Sequence, residues 1–217
     1  RRQVRIAPAV LAHCKQENAM LMKAENGQVR VYDPRGVIRS EALAIAKRRT
    51  SLDGLRLGVL DNSKWNANKL LRGSIEALRK EIDFAAVNYY VKHSFSKDAA
   101  PELIERIIAE NDVVLTAIGD CGSCTSGCLR DAIALEQQGV PTAVIVTTEF
   151  VKETVLTREA LGMLELEPII IAHPVSSITL EEVAHRVSQI LPQAQAVWKG
   201  SQSGAAQEYL KSHRTPD

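Results

Sequence analysis

The stretch DVVLTAIGDCGSCTSGCLRDAIALEQQGVPTAVIV, residues 112–146, decides the fold of this 217-residue chain. It predicts a buried strand over residues 112–118, a helix over 121–138 and a second buried strand over 141–146. Both strands are continuous apolar runs, which is typical of parallel strands that are covered on both faces. The stretch therefore reads as a strand–helix–strand crossover with three cysteines at the start of its helix.

The same alternation extends in both directions along the chain. Further strands are predicted at residues 55–60, 84–91 and 168–172, and further helices at 66–82, 101–110, 150–161 and 180–191. Five alternations of strand and helix predict an α/β fold, a three-layer flavodoxin/Rossmann-like parallel sheet with right-handed crossovers.

Both ends of the chain differ from this regular part. Residues 1–50 are predicted to be an N-terminal β-hairpin extension and linker, because Glu25-Asn26-Gly27 separates two short strand-like runs and Asn-Gly favours a hairpin turn. The α/β domain is assigned to residues 51–192. Residues 193–217 are predicted to be a helical and polar tail. We expect these extensions to contribute to a homo-oligomer or to make the chain a subunit of a complex.

Composition excludes several classes of partner. The 27 basic and 26 acidic residues give a net charge of +1, so no nucleic-acid partner is expected. No apolar run approaches the roughly 20 residues that span a bilayer, so no membrane partner is expected. Three of the four cysteines fall within eight residues, Cys121 to Cys128, which indicates a reducing, cytoplasmic location rather than a disulfide scaffold.

The cysteine motif indicates thiol chemistry. Cys121 is predicted to lie at a helix N-terminus, where the free N–H groups and the helix dipole stabilise a thiolate. Cys124 is three residues further on the same face, the spacing at which a resolving thiol forms a disulfide with an attacking one. Cys128 is one turn beyond, so all three sulfurs could lie in a row. In the rival interpretation Cys121, Cys124 and Cys128 bind a metal, with a fourth ligand such as His173 from another loop.

Polar side chains are expected to meet at the carboxyl ends of the strands, where open α/β sheets bind their ligands. His173 and Asp120 are candidate catalytic groups beside the two cysteines. Asp120 could instead cap the helix, and Asn62 and Ser63 could cap the helix at 66–82. The candidate substrate-binding residues, which all flank these strand ends or the cysteine motif, are Asp61, Asn62, Ser63, Gly119, Ser123, Thr125, Thr148 and Glu149.

Four blocks of the chain resemble one family. These are LDNSKWNANKLL at 60–71, IGDCGSCTSGC at 118–128, ALEQQGVPTAVIVTTEF at 134–150, and ALGM followed by IIIAHP within 160–174. They resemble the UGSC-like family, named for a selenocysteine-Gly-Ser-Cys motif, and more distantly the selenoprotein B component of glycine, sarcosine and betaine reductases. Because a selenolate is valuable for its reactivity, the resemblance implies a nucleophilic or redox role at Cys121, with Cys124 as its resolving partner.

Two positions depart from that family's pattern. Trp65 stands where the family usually has proline, and the third cysteine of the family falls at the position of Gly127. A shift of one residue turns a side chain by about 100° around a helix, so no role is carried over to Cys128.

Three functions are compatible with these observations. The first is a thiol-dependent oxidoreductase that acts on a small electrophilic molecule and is restored by an external thiol or reductase. The second is a redox-neutral lyase, isomerase or hydrolase in which Cys121 acts with His173, Asp61 or Asp120. The third is a metal-binding or redox-sensing subunit of a larger assembly. No cofactor is predicted, and a bound metal is the main alternative. The chain has neither a GxGxxG nor a P-loop pattern, so no bound nucleotide of those standard types is expected.

Overall fold

The computed structural model describes residues 40–201 and 204–212. The predicted N-terminal hairpin lies outside these residues. The strands are β1 (Arg56–Asp61), β2 (Ala86–Val91), β3 (Val113–Gly119), β4 (Thr142–Thr147) and β5 (Ile169–Ile171). The helices are α1 (Ala67–Leu78), α2 (Pro101–Glu110), α3 (Gly122–Gln137), α4 (Val151–Leu161), α5 (Leu180–Lys199) and α6 (Ala205–Ser212).

The five strands form one parallel sheet in the order β2-β1-β3-β4-β5. All seven residues of β3 and all six of β4 are buried. Helices α1 and α5 pack together, and α3 contacts α2 and α4, so helices cover both faces of the sheet. The predicted three-layer α/β fold is confirmed.

The sheet order creates a switch point between β1 and β3. From β1 the chain proceeds to β2 at one edge, whereas from β3 onward it proceeds toward β5 at the other edge. The loops that leave β1 and β3 therefore diverge, and they open the crevice where flavodoxin-like sheets bind ligands. The loop after β1 begins with Asn62, and the loop after β3 consists of Asp120 and Cys121.

The predicted end of the last domain helix is wrong. The sequence predicts its last residue at Leu191 and a further helical stretch beyond Pro192, but α5 is one helix that continues through Pro192 to Lys199, with Gly200 as its C-cap. The predicted domain boundary at residue 192 therefore falls inside one helix. The last turn is held by the buried Trp198, whose indole N–H donates to the Val114 carbonyl oxygen at 3.0 Å. Its ring also meets Phe84 edge to face, with centroids 6.4 Å apart.

The segment before β1 has no regular secondary structure over residues 40–49, as the predicted linker allowed. It is nevertheless anchored on the domain by Glu136, a buried carboxylate of α3. Glu136 accepts hydrogen bonds from the Ala46 N–H, the Arg48 guanidinium and the Thr142 N–H, each at 2.7 Å. Residues 40–50 are therefore continuous with the α/β domain rather than separate from it.

Candidate thiol site

Cys121 is the N-cap residue of α3, and its backbone is extended. Its sulfur accepts the N–H of Cys124 at 3.3 Å, in the position that a serine or aspartate oxygen commonly takes at a helix start. Thr125 supports the same turn because its backbone N–H and its hydroxyl both donate to the Cys121 carbonyl oxygen, at 2.9 and 2.8 Å. The sulfur therefore lies against the positive end of the helix dipole, as the sequence predicts.

Cys121 and Cys124 form a disulfide, with Cα atoms 5.2 Å apart. Cys121 is partly exposed, whereas Cys124 is fully buried. Ser123 is exposed between them, and its hydroxyl oxygen lies 3.7 Å from the Cys121 sulfur. An incoming molecule can reach Cys121, and the buried Cys124 sulfur is within bonding distance behind it.

Cys128 does not join this pair. It is fully buried in an apolar cluster with Leu129 and Ala132, and its sulfur accepts the Asn62 side-chain N–H at 3.3 Å. Burial raises the pKa of the Cys128 thiol to about 12. Within residues 40–201 and 204–212, no group of three or more His, Cys, Asp and Glu side chains is arranged to hold a metal. The expectation that all three sulfurs lie in a row is therefore wrong, because Cys121 and Cys124 form a pair and Cys128 is buried apart from it.

Asp120 binds the loop that follows β5. Its carboxylate accepts the N–H groups of Val175, at 3.3 Å, and Ser176, at 3.1 Å, and one oxygen lies 2.9 Å from Nδ1 of His173. The helix-capping alternative for Asp120 is wrong, because Cys121 is the N-cap. The structure thus pairs the two predicted catalytic groups, Asp120 and His173, directly beside the cysteine motif.

Thr147 completes this pair and was missing from the predicted set. Its hydroxyl oxygen lies 3.0 Å from His173 Nδ1 and 3.3 Å from the Gly119 carbonyl oxygen, so it links β4, β3 and the imidazole. The neighbouring Thr148, a predicted residue, accepts the His173 backbone N–H at 3.3 Å, while Glu149 is exposed. Thr147 is the polar and buried last residue of β4, and its position at a strand end is the one sequence signal that could have singled it out.

The residues after β1 use their polar groups internally. Asn62 is fully buried and donates to the Ile118 carbonyl oxygen at 3.1 Å as well as to Cys128. The Ser63 hydroxyl donates to the Lys92 carbonyl oxygen. Neither residue caps α1, whose N-cap is Asn66. Asn62 therefore fixes the spacing between β1 and β3 from within the core.

Asp61 is buried at the end of β1, and both of its carboxylate oxygens are engaged. One accepts the Ser63 N–H and the other the Tyr89 hydroxyl, each at 2.7 Å. Burial, followed by this hydrogen bond, raises the pKa of Tyr89 well above its ordinary value, so Tyr89 is a neutral donor to Asp61. Asp61 is thus held to the β1 and β2 side of the switch point.

Beneath the site lies a buried ion pair between Lys92 and Asp131. Asp131 also accepts the Ala99 N–H at 2.7 Å, and the Lys92 ammonium donates to the Lys97 carbonyl oxygen at 2.7 Å. Burial raises the pKa of Asp131. The pair ties α3 to the loop that follows β2, next to the buried Cys128.

Comparison with known proteins supports the family resemblance. No significant match is found among curated proteins. Within residues 40–201 and 204–212, no helix is long and apolar enough to cross a membrane. The model of the UGSC family matches residues 30–200, which include strands β1 to β5, helices α1 to α5 and the Cys121-Gly122-Ser123-Cys124 motif. The chain belongs to the UGSC family.

Proposed function

We propose that this protein is a thiol-dependent oxidoreductase that acts on a small electrophilic molecule through the Cys121/Cys124 dithiol. One observation carries the proposal: the Cys121 sulfur caps the N-terminus of α3 and is bonded to Cys124 within the same turn. Backbone N–H groups and the helix dipole favour a thiolate at this position. Membership of a family named for selenocysteine at the first motif position agrees with a reactive Cys121.

The reaction begins with reduced protein. The Cys121 thiolate attacks an electrophilic atom of the substrate, such as one sulfur of a disulfide, and the leaving group departs with the bonding electron pair. The Cys124 thiolate then attacks the Cys121 sulfur and displaces the other half of the substrate as a thiolate. The substrate gains two electrons, the protein becomes the Cys121–Cys124 disulfide, and an external thiol or reductase returns it to the dithiol.

His173 is the candidate proton donor to the leaving group. Asp120 holds Nδ1 at 2.9 Å and Phe150 packs beside the ring, with centroids 5.8 Å apart, so the orientation of the imidazole is fixed. Nε2 then remains for proton transfer. Asp120 and Thr147 act as positioning residues, because each contacts Nδ1 of His173.

The first prediction concerns trapping of the adduct. Every protein in this experiment, the parent included, also carries Cys14→Ser, because Cys14 is a further thiol that lies outside the described residues. Each reduced protein is mixed with an aromatic disulfide that releases a coloured thiolate. The parent protein should release two thiolates per chain and keep no adduct. Cys124→Ser should release one thiolate and retain the other half of the reagent on Cys121, as observed by mass spectrometry.

Cys128→Ser is the matched control, because Cys128 is a buried thiol of the same helix. It should behave like the parent. If Cys124→Ser also releases two thiolates without an adduct, Cys124 is not the resolving thiol and the dithiol mechanism is wrong.

The Asp120–His173 pair also favours a second candidate, redox-neutral chemistry. A carboxylate that orients an imidazole beside a cysteine is the arrangement of a nucleophile with its general base. In that case Cys121 would act without Cys124, and the Cys124→Ser variant would turn over repeatedly with no reductant present.

A further inference from the structure

A second concave surface lies on the β1 and β2 side of the switch point. It is a cleft of about 590 Å³ between the start of α1 and the ends of β1 and β2. The side chains that line this cleft include Lys64, Lys69 and Arg72, together with Trp65 and Tyr89, and among the described residues no cysteine lines it. Neither the thiol chemistry nor the Asp120–His173 pair uses these side chains.

The charge of this cleft is one-sided. Three cationic side chains line it against one carboxylate, Asp61, among the described residues, and both oxygens of Asp61 already accept internal hydrogen bonds. Helix α1 begins here with no acidic residue in its first turn, and its N-cap, Asn66, makes no side-chain capping bond to the described part of the chain. The positive end of the helix dipole therefore adds to the cationic field.

Two of the three cations are held in place by aromatic rings. The Lys64 ammonium lies 4.7 Å from the centre of the Phe95 ring, and the Arg72 guanidinium carbon lies 4.7 Å from the centre of the Tyr89 ring. A guanidinium held in this way keeps its planar set of donors, which matches a carboxylate or phosphate group. Less ordering is then required when an anion binds.

The cleft also offers an unusually exposed apolar surface. Trp65 is 73% exposed and Val91 is 57% exposed, and both line the cleft. An indole this accessible beside fixed cations can stack on a planar group while the cations hold its charged substituent.

We propose that this cleft binds a small organic anion, a carboxylate or phosphate that carries a planar apolar group. Asn66 connects the cleft with the thiol site, because its side chain donates to the Val175 carbonyl oxygen at 2.9 Å and the Val175 N–H donates to Asp120. A bound anion therefore contacts the element that is attached to the loop of the Asp120–His173 pair. The binding step itself requires no thiol, so it does not depend on the proposed redox reaction.

Trp65 provides a direct readout of binding. The chain has two tryptophans, and Trp198 is fully buried, so a ligand in the cleft should change the fluorescence of Trp65. Benzoate, phenyl phosphate and the neutral benzamide are titrated at constant ionic strength. At least one of the two anions should give a saturable change and bind at least about tenfold more tightly than benzamide, as charge-assisted bonds imply. The anion that binds more tightly shows whether the cleft prefers a carboxylate or a phosphate group.

Variants locate the site. Lys69→Gln and Arg72→Gln should each weaken anion binding about tenfold. Arg79→Gln is the matched control, because it removes the same charge from an exposed position just beyond the other end of α1 and should bind like the parent. Cys121→Ser should bind the anion normally whether or not the redox proposal holds. Equal binding of benzamide and both anions, or equal weakening by Arg79→Gln and Arg72→Gln, would overturn the proposed anion site.

Discussion

At the scale of single residues, Cys121 and Cys128 show how position decides the chemistry of a thiol. Both belong to one motif, but Cys121 caps a helix and is partly exposed, whereas Cys128 is fully buried about two turns further along α3. Desolvation disfavours the thiolate of Cys128 and raises its pKa to about 12. One cysteine is therefore suited to attack and the other is a small apolar packing residue.

This difference gives the second prediction, which concerns stability at alkaline pH. In the folded protein the pKa of Cys128 is about 12, so the thiol stays protonated at lower pH. In the unfolded chain the same thiol has the ordinary pKa of about 8.5 and loses its proton above that pH. The free energy of unfolding should therefore fall as pH rises above about 8.5, with a slope that approaches 1.4 kcal/mol per pH unit for this group. The Cys128→Ser variant has no thiol at this position, so its free energy of unfolding should lack this part of the pH dependence.

Urea denaturation of the parent and of Cys128→Ser, both with the Cys121–Cys124 disulfide intact, measures the two slopes between about pH 8.5 and pH 10. Groups common to both proteins cancel in the comparison. Identical slopes would contradict the assignment of Cys128 as a buried, protonated thiol.

Much of the candidate site follows from sequence at this scale, because strand ends can be located from apolar runs. Asp120, Cys121, Cys124 and His173 are brought together as predicted. Asn62 could not be predicted correctly, since the same polar side chain suits a substrate contact or an internal bond. The pairing of β1 with β3 places the Asn62 side-chain amide where it donates to the Ile118 carbonyl oxygen and the Cys128 sulfur, and this pairing is not visible in the local sequence.

At the scale of elements, the site depends on how closely α3 approaches β3. The pairing of β3 with β4 shifts register between Ala117 and Gly119, an irregularity of the kind that redirects side chains near functional sites. A Cβ atom on Gly119 would lie 2.8 Å from the Thr125 hydroxyl oxygen and 2.9 Å from a methyl carbon of Val146. Glycine at 119 thus permits the first turn of α3 to pack against the strand end.

The third prediction compares two glycines that flank Asp120-Cys121. Gly119→Ala should lower the free energy of unfolding by about 1–3 kcal/mol and slow alkylation of Cys121, because the helix start must move away. Gly122→Ala meets nothing within 4 Å and should leave both quantities nearly unchanged. Urea denaturation and alkylation rates measure the two effects, and equal effects at the two positions would show that close packing at Gly119 is unimportant.

Element types were more predictable than element ends. In the part of the chain that the structure describes, apolar periodicity located strands β1 to β5 and helices α1 to α5. The predicted end of α5 was wrong because a proline usually stops a helix, since it removes a hydrogen bond and clashes with the preceding turn. Here burial of Trp198 against Phe84 favours continuation past Pro192, and that tertiary contact is not visible in local sequence.

At the scale of the whole molecule, the two flanking segments of the α/β sheet are joined to each other. The Arg49 N–H donates to the Trp198 carbonyl oxygen at 2.9 Å, and the Arg49 guanidinium donates to the Asp112 carbonyl oxygen at 2.9 Å. Residues that precede β1 and residues that end α5 therefore close the same end of the sheet. A division of the chain at residue 192 would remove part of the core.

The fourth prediction tests this closure by truncation. A chain that ends at Pro192 loses the buried residues Ala194, Val197 and Trp198 together with the last turns of α5, and the loss of Trp198 alone costs about 3–5 kcal/mol. Since domains are stable by only about 5–15 kcal/mol, this chain should be largely unfolded by circular dichroism. A chain that ends at Ser201 retains α5 and should fold. Folding of the shorter chain with unchanged stability would show that the last turns of α5 are dispensable.

The central claim is that Cys121 is the reactive thiol and Cys124 its partner, and a pH titration of alkylation tests it most directly. Protein is reduced, kept anaerobic and alkylated at a series of pH values, with each modified cysteine identified by mass spectrometry. The account predicts that Cys121 reacts first among residues 121–128, with a pKa well below the ordinary value of about 8.5, and that air restores the Cys121–Cys124 disulfide. Clustered thiols that stay unreactive until a chelator is added would contradict it and identify a metal centre instead.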